Sequence, residues 1–273
     1  MSLFRCPICA APLRREDRSY RCQKGHSYDR AKEGYVHLLP ANQKHSKNPG
    51  DDKGMAAARN RFLSGDWYLC LRRTLESLAA ETPGQRLTLL DSGCGEGYYT
   101  QGMARALKEQ GRTAAVCGVD LSKTSVRYAA KRLPEGEFAV ASVYHLPIGT
   151  DSIDLLVNCF SPLALEEFSR VLKKGGHFLY VVPGPRHLWE MKEVLYEQPY
   201  PNEELSPDYP GFERLKVVKV EEKITLPDSQ TIMDLFQMTP YYWKTPASGT
   251  ARLAKLEQLD LTISFAVHVY RRL

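Results

Sequence analysis

Residues 87–100 read LTLLDSGCGEGYYT. Leu87, Leu89 and Leu90 form an apolar run suited to a buried strand, glycine recurs at 93, 95 and 97, and a helical pattern runs from Tyr98 to about Lys108. Strand, glycine-rich turn and helix make a βα unit of the kind that binds nucleotides, with bare backbone and a helix N-terminus turned toward the ligand. The glycines let backbone N–H groups approach where a Cβ would collide. Asp91 places a carboxylate at the strand end, beside that turn.

Spacing narrows the ligand. Pyrophosphate sites use G-x-G-x-x-G, whereas this chain has Asp91-x-Gly93-x-Gly95-x-Gly97 with Glu96 inside the turn. Carboxylates at 91 and 96 repel phosphate and suit a ligand with a cationic or amino end. S-adenosylmethionine (SAM) carries both a sulfonium and an α-amino group. The stretch resembles motif I of class I SAM-dependent methyltransferases; an ordinary glycine-rich βα turn is the competing reading.

The chain has 273 residues, room for one sizeable core and a small appendage. It has no apolar run long enough to span a bilayer and no apolar stretch at the N-terminus resembling a signal peptide, so the expected location is cytoplasmic. Residues 1–60 hold twelve Lys and Arg against six Asp and Glu, and the remainder 25 against 26. The positive surplus therefore sits entirely in the N-terminal segment. That is an electrostatic footprint for a polyanion, or else a solvated face.

The same segment carries Cys6-Pro7-Ile8-Cys9 and, after twelve residues, Cys22-Gln23-Lys24-Gly25-His26. Two short-spaced pairs joined by an arm long enough for a hairpin can converge on a tetrahedral zinc ion. With seven cysteines in a reducing compartment, metal binding is preferred over disulfides. Four protein ligands leave no open position, so the metal would be structural and would supply folding energy that so small a segment lacks.

Three regions follow from these patterns: a zinc-binding module over 1–40, a linker and helices over 41–84, and a methyltransferase domain over 85–273. Helices are expected from Met55 to about Ser64 and from about Trp67 to Ala80. In the catalytic domain a second strand, 114–119, ends at Asp120, placed to accept hydrogen bonds from two ribose hydroxyls. Ser122 offers the cap for the helix over 123–133. The third strand, 138–141, ends at Ser142, where many SAM enzymes have an acid that binds the adenine amino group. The fourth runs from Ile153 to Asn158 and into Cys159-Phe160-Ser161-Pro162. That sequence departs from the N/D-P-P-Y/F motif of amino-group methyltransferases and argues against exocyclic amine chemistry. Lys173–Gly176 reads as a helix C-cap turn before a strand over 177–182, and His187 opens the next helix. Residues 199–212 read as a flap or subunit contact, and 238–243 as an aromatic turn, for core or for stacking on a base. Leu261, Ile263, Phe265, Val267 and Val269 alternate with polar residues, which suits an antiparallel last strand closing a mixed α/β sheet.

The zinc module, then AKEGYVHLLP, DSGCGEGYYT, PGPRHL and LFQMTPYYW, taken together, resemble the bacterial 23S rRNA guanine-N1 methyltransferase family along essentially the whole chain. The resemblance implies zinc ligation by Cys6, Cys9, Cys22 and His26. It implies SAM contacts from the glycine turn through Gly97 and Tyr98, from Tyr68 and from His187. It makes the region over 1–40 an RNA-recognition module. It also implies a homodimer and a target guanine in a hairpin loop of 23S ribosomal RNA, with family members divided between two nearby guanines. Asp91, Gly93, Gly95, Glu96, Asp120 and Ser142 complete the expected cofactor set. No residue stands out as the base that takes the guanine N1 proton; His145 and Glu166 are the candidates. The alternative is a SAM-dependent enzyme of a small metabolite, with zinc only bracing the N-terminus.

Overall fold

The computed structural model describes residues 2–43, 50–204 and 208–273; parts of the expected linker (44–49) and flap (205–207) lie outside it. The chain opens with a three-stranded antiparallel ribbon, β1 (Leu13–Arg15), β2 (Ser19–Cys22) and β3 (Ser27–Asp29), followed by a short strand β4 (Val36–His37). Helices α1 (Lys53–Ser64) and α2 (Leu69–Glu81) come next. Asp52 starts α1 by accepting the Met55 amide at 2.9 Å. The alternating core is β5 (Arg86–Ser92), α3 (Tyr98–Glu109), β6 (Thr113–Asp120), α4 (Lys123–Arg132), β7 (Glu137–Val140), β8 (Ile153–Cys159), α5 (Leu165–Val171) and β9 (Leu172–Pro183). The chain ends with α6 (Trp189–Leu195), β10 (Phe212–Leu226), α7 (Ser229–Gln237), α8 (Ala247–Leu253) and β11 (Leu259–Arg272).

Among the described residues one sheet of eight strands runs β10-β11-β9-β8-β5-β6-β7-β4. The pairs from β9 through to β4 are parallel, and β11 is antiparallel to both of its neighbours. This is the class I methyltransferase plan of a mixed α/β sheet with an antiparallel last strand. That last strand is not outermost, however, because β10 pairs along its whole length and takes the edge. Strand order reverses at β5, with β6 on one side and β8 on the other. The carboxyl ends of those strands therefore border the crevice where ligands bind in open α/β sheets.

Each face of the sheet has its own core. Leu87, Leu89, Leu155, Leu179, Ile263, Phe265 and Val267 pack under the helices of one face. On the other face Leu90, Val119, Phe178 and Tyr180 meet α5 and the N-terminal module, through Phe4, Leu13, Tyr20, Val36 and Leu38. The module is thus seated on the sheet. Val36 and His37 pair with Ala139 and Val140, Phe4 bridges to Ile148, and the Arg5 amide donates to the Pro147 carbonyl at 2.7 Å.

Two local expectations are corrected. Lys173–Gly176 is not a C-cap turn: Leu172 is already extended and begins β9, and the register against β8 slips between Ile153 and Leu155, so the four residues form an excursion within the strand, with Gly175 at φ 76°. The helix after the Pro-Gly loop begins at Trp189, two residues beyond His187, because Leu188 adopts the left-handed conformation.

Candidate functional site

Cys6, Cys9, Cys22 and His26 converge, with all four ligand atoms within 4.8 Å of one another. The knuckle after Cys6 and the turn before His26, where Gly25 sits at φ 86°, bring the pairs together. Cys9 Sγ lies 3.8 Å from Cys22 Sγ, and His26 Nδ1 lies 3.4 Å from the sulfurs of both Cys6 and Cys22. A tetrahedron with Zn–S near 2.3 Å and Zn–N near 2.0 Å has edges of about 3.8 Å and about 3.5 Å. The donor set fits zinc. Burial pushes the Cys6 thiol up, but the Tyr28 hydroxyl at 3.0 Å and the amides of Ile8 and Cys9 outweigh it and bring it down to about 6.

At the crevice, Gly93, Gly95 and Gly97 all have positive φ, of 83°, 52° and 78°. The Gly93 and Cys94 amides donate to the Val119 carbonyl at 2.8 and 3.0 Å, and Gly95 donates to Asp120 Oδ2 at 3.1 Å, so the turn is tied to β6. Asp120 also accepts the Ser122 amide at 2.8 Å while Ser122 caps α4. A carboxylate has about four acceptor sites, which leaves Asp120 capacity for hydroxyls. Ser142 uses its own hydroxyl locally, accepting the Tyr144 amide at 3.2 Å.

Asp91 and Glu96 are both 2% exposed. Asp91 accepts the Thr100 hydroxyl at 2.5 Å through one oxygen. Its other oxygen, Glu96 Oε2, the Ser92 hydroxyl and the Tyr99 hydroxyl have no hydrogen-bond partner among the described residues. Buried polar atoms of this kind are costly unless a ligand meets them. A group carrying an amino and a sulfonium cation does so, and SAM fits.

The Tyr98 hydroxyl donates to Asp66 at 2.7 Å, with Arg72 and Arg132 over its ring. The Tyr98 amide lies at the start of α3. Tyr99, which sequence reasoning passed over, has its buried hydroxyl among Cys159, Tyr68 and Glu96. Arg59 was also missed. It is paired with Asp51, close enough to Glu96 and Asp120 for their charges to hold its guanidinium firmly protonated against the burial that pulls the other way. Only its distant position in sequence hides it: α1 is brought to this corner by Gly50 packed on Leu121 and Ser122, and by the Ser122 hydroxyl donating to the Asp51 carbonyl at 2.9 Å.

Tyr68 and His187, 119 residues apart, meet over Phe265. His187 Nδ1 accepts the Ser264 amide at 3.1 Å and Nε2 lies 3.4 Å from the Tyr68 hydroxyl. Burial, with Lys192 nearby, pushes His187 down to about 3. Its ring is neutral, and with Nδ1 occupied as an acceptor the proton stands on Nε2. His187 is therefore a donor and not a base. His145 and Glu166 both lie exposed, one after β7 and one in the first turn of α5.

Burial pushes the Asp91 carboxyl up to about 7; the Thr100 hydrogen bond opposes this and the charges of Asp120 and Glu96 add to it. A carboxyl raised in this way contributes stability in full below its unfolded value of about 4, and that contribution is lost as pH rises through about 7. A bound cation favours the ionised form, so binding expels the proton. Affinity for S-adenosylhomocysteine is expected to rise about tenfold per pH unit up to the Asp91 value and then level off. Calorimetry across pH checks this, and Asp91→Asn should flatten the profile.

The domains match known families. Residues 4–47 match the zinc-ribbon family described as RlmA, N-terminal, and residues 90–180 match a methyltransferase domain. The 23S rRNA (guanine(748)-N(1))-methyltransferase of Streptomyces fradiae is 32% identical, over 97% of this chain and 95% of its own length. YxjB of Bacillus subtilis (strain 168), provisionally named in the same guanine-N1 class, is 29% identical over 96% and 94%. By contrast, trans-aconitate 2-methyltransferase of Rhodopseudomonas palustris (strain BisB5), 34% identical, covers 40% of this chain. Fold and site define a class I SAM-dependent methyltransferase carrying an N-terminal zinc ribbon. Within that class, the chain belongs to the 23S rRNA (guanine-N1)-methyltransferase family.

Proposed function

We propose that this protein transfers a methyl group from SAM to N1 of a guanine in a hairpin loop of 23S ribosomal RNA. The observation that carries the reading is the placement of the basic ribbon. Arg14, Arg15, Arg18, Arg21 and Lys24 are all exposed on it, and the module that carries it is seated, through β4 and the Phe4–Ile148 bridge, on the sheet whose carboxyl edge holds the cofactor residues. Phosphates held by the ribbon would present the loop to that edge, and their contribution should fall steeply with salt.

SAM supplies an electrophilic methyl group when bound. The protein's residues hold and align it: Asp91 and Glu96 take the amino end, Asp120 the ribose hydroxyls, Ser142 the adenine side, and Gly93, Gly95, Gly97 and the Tyr98 amide the close backbone approach. Tyr68 and His187 close the other side with fixed donors. Alignment of N1 with the methyl carbon and sulfur is the main catalytic term. A loop guanine enters the pocket at less cost than one in a duplex. As the methyl carbon would bond to N1 its bond to sulfur would break, the electron pair going to sulfur, and the N1 proton would pass to solvent water; His187, already protonated on Nε2, would not receive it. The reading includes the three-region division of the chain, a cytoplasmic location with the ribosome, and the homodimer that the family resemblance implies. Among the described residues no helix is long and apolar enough to cross a membrane.

The test is transfer from labelled SAM to ribosomal RNA of cells lacking the enzyme. Label should appear at a single hairpin guanine and stop reverse transcription there, because N1 methylation blocks the pairing edge. Arg14→Glu with Arg18→Glu should weaken RNA binding and leave SAM binding unchanged. Label in a small-molecule fraction instead would establish the metabolite reading.

A further inference from the structure

Five described residues other than glycine have positive φ: Ala10, Asp66, Asp151, Phe160 and Leu188. Two of them are bulky and apolar, and both border the crevice. Leu188 follows His187; Phe160, at φ 55°, follows β8, beside the point where strand order reverses. A large side chain persists in the left-handed region only when its surroundings hold it there. They do so here. Asn158 Nδ2 donates to the Ser92 carbonyl at 3.4 Å and the Pro162 carbonyl at 3.0 Å, closing the loop. The Phe160 amide reaches the Val181 carbonyl at 3.4 Å, and the Ser161 side chain lies directly over Gly93.

The strained backbone does not bury the ring. Phe160 is 48% exposed, with one flank against Phe265 at 5.6 Å between centroids. Phe265 in turn contacts Tyr68 at 4.9 Å and His187 at 4.7 Å. The ring is thus braced from below by the group that flanks the cofactor residues and is open above. A flat, braced, open aromatic face matches a nucleobase.

We infer that Phe160 is the platform on which the target guanine stacks, placing N1 in line with the methyl group; this rests on the rRNA reading above. Stacking on an aromatic is worth roughly ten- to hundredfold in base binding, so Phe160→Ala should lose about that factor in kcat/KM on the hairpin, with affinity for S-adenosylhomocysteine unchanged. Phe160→Trp should keep most of the activity and Phe160→Leu should not. A hairpin with 2-aminopurine at the target position should be quenched on binding the wild type and less so on binding Phe160→Ala. Phe160→Gly relieves the backbone, so it should melt no lower than Phe160→Ala while being as slow.

A Phe160→Ala enzyme as fast as wild type, a Phe160→Leu enzyme equal to Phe160→Trp, a Phe160→Gly protein melting below Phe160→Ala, or cofactor affinity falling in step with activity would each overturn the inference and leave the rRNA reading standing. A wild-type enzyme that leaves the guanine unmethylated would overturn both.

Discussion

Cys22→Ser is expected to melt residues 2–39 and to lower the melting temperature of the whole chain by roughly 10 °C or more. The ribbon is too small to fold on its own apolar burial; Leu13 and Tyr20 are its main buried side chains within the strands. Folding free energy must come from the metal, which binds the folded ligand set and not the unfolded one. Serine keeps the shape of Cys22 and removes the thiolate. The loss reaches beyond the ribbon because Phe4, Leu13, Tyr20, Val36 and Leu38 share one core with Leu90, Val119, Ala139 and Phe178. Once the module detaches, that face of the sheet is open to water and should bind a hydrophobic dye. Cys70→Ser is the control: Cys70 is partly buried on α2, away from the cluster, and its replacement should cost no more than about 1 kcal/mol. Zinc content by mass spectrometry, paired with a thermal melt, decides the matter. Wild-type melting in a zinc-free Cys22→Ser protein would mean that docking of Phe4 and Leu13 alone holds the module in place.

What could be read from sequence was what repeats locally. The βα unit at 87–100 was legible because an apolar run, three glycines and a helical pattern are all short-range signals, and the three positive φ angles bear out the reading of the turn. The zinc set was legible because ligand spacing is itself the signal. The last strand was legible in type and not in position. Its apolar residues face the helix-side core as expected, but Thr262, Ser264, His268 and Tyr270 on its other side are also buried. Glu190 makes this possible for Thr262, accepting both its amide and its hydroxyl at 2.8 Å. The alternation suited a strand closing the sheet, and only pairing partners distant in sequence reveal that it is an interior one. Arg59 and Tyr99 were missed for the same reason, and the conformation of Phe160 was not legible. Each acquires its meaning from residues dozens of positions away, and a left-handed phenylalanine leaves no mark in composition or periodicity.

Gly93→Ala tests the crevice at its tightest point. A Cβ built on Gly93 would lie 2.0 Å from Ser161 Oγ and 2.3 Å from Ser161 Cβ. Real atoms never come that close, and Ser161 cannot swing freely because Asn158 closes its loop onto Pro162. Two costs therefore add: roughly 1–2 kcal/mol for a left-handed alanine and roughly 1–3 kcal/mol for overpacking. The sum, about 2–5 kcal/mol, is a large share of the stability of an ordinary domain, and the strain falls between the glycine turn and the Phe160 loop. Cofactor binding should fall below detection in calorimetry while the zinc ribbon keeps its metal. The double variant Gly93→Ala with Ser161→Gly separates the two costs. Removing the Ser161 side chain removes both close contacts and leaves the backbone term, so the double variant should recover roughly 1–3 kcal/mol of the lost stability. Recovery of cofactor binding along with it would mean that Gly93 is required for room. A double variant that is stable but still binds nothing would mean that the left-handed backbone itself shapes the pocket, and that any side chain at 93 disrupts it.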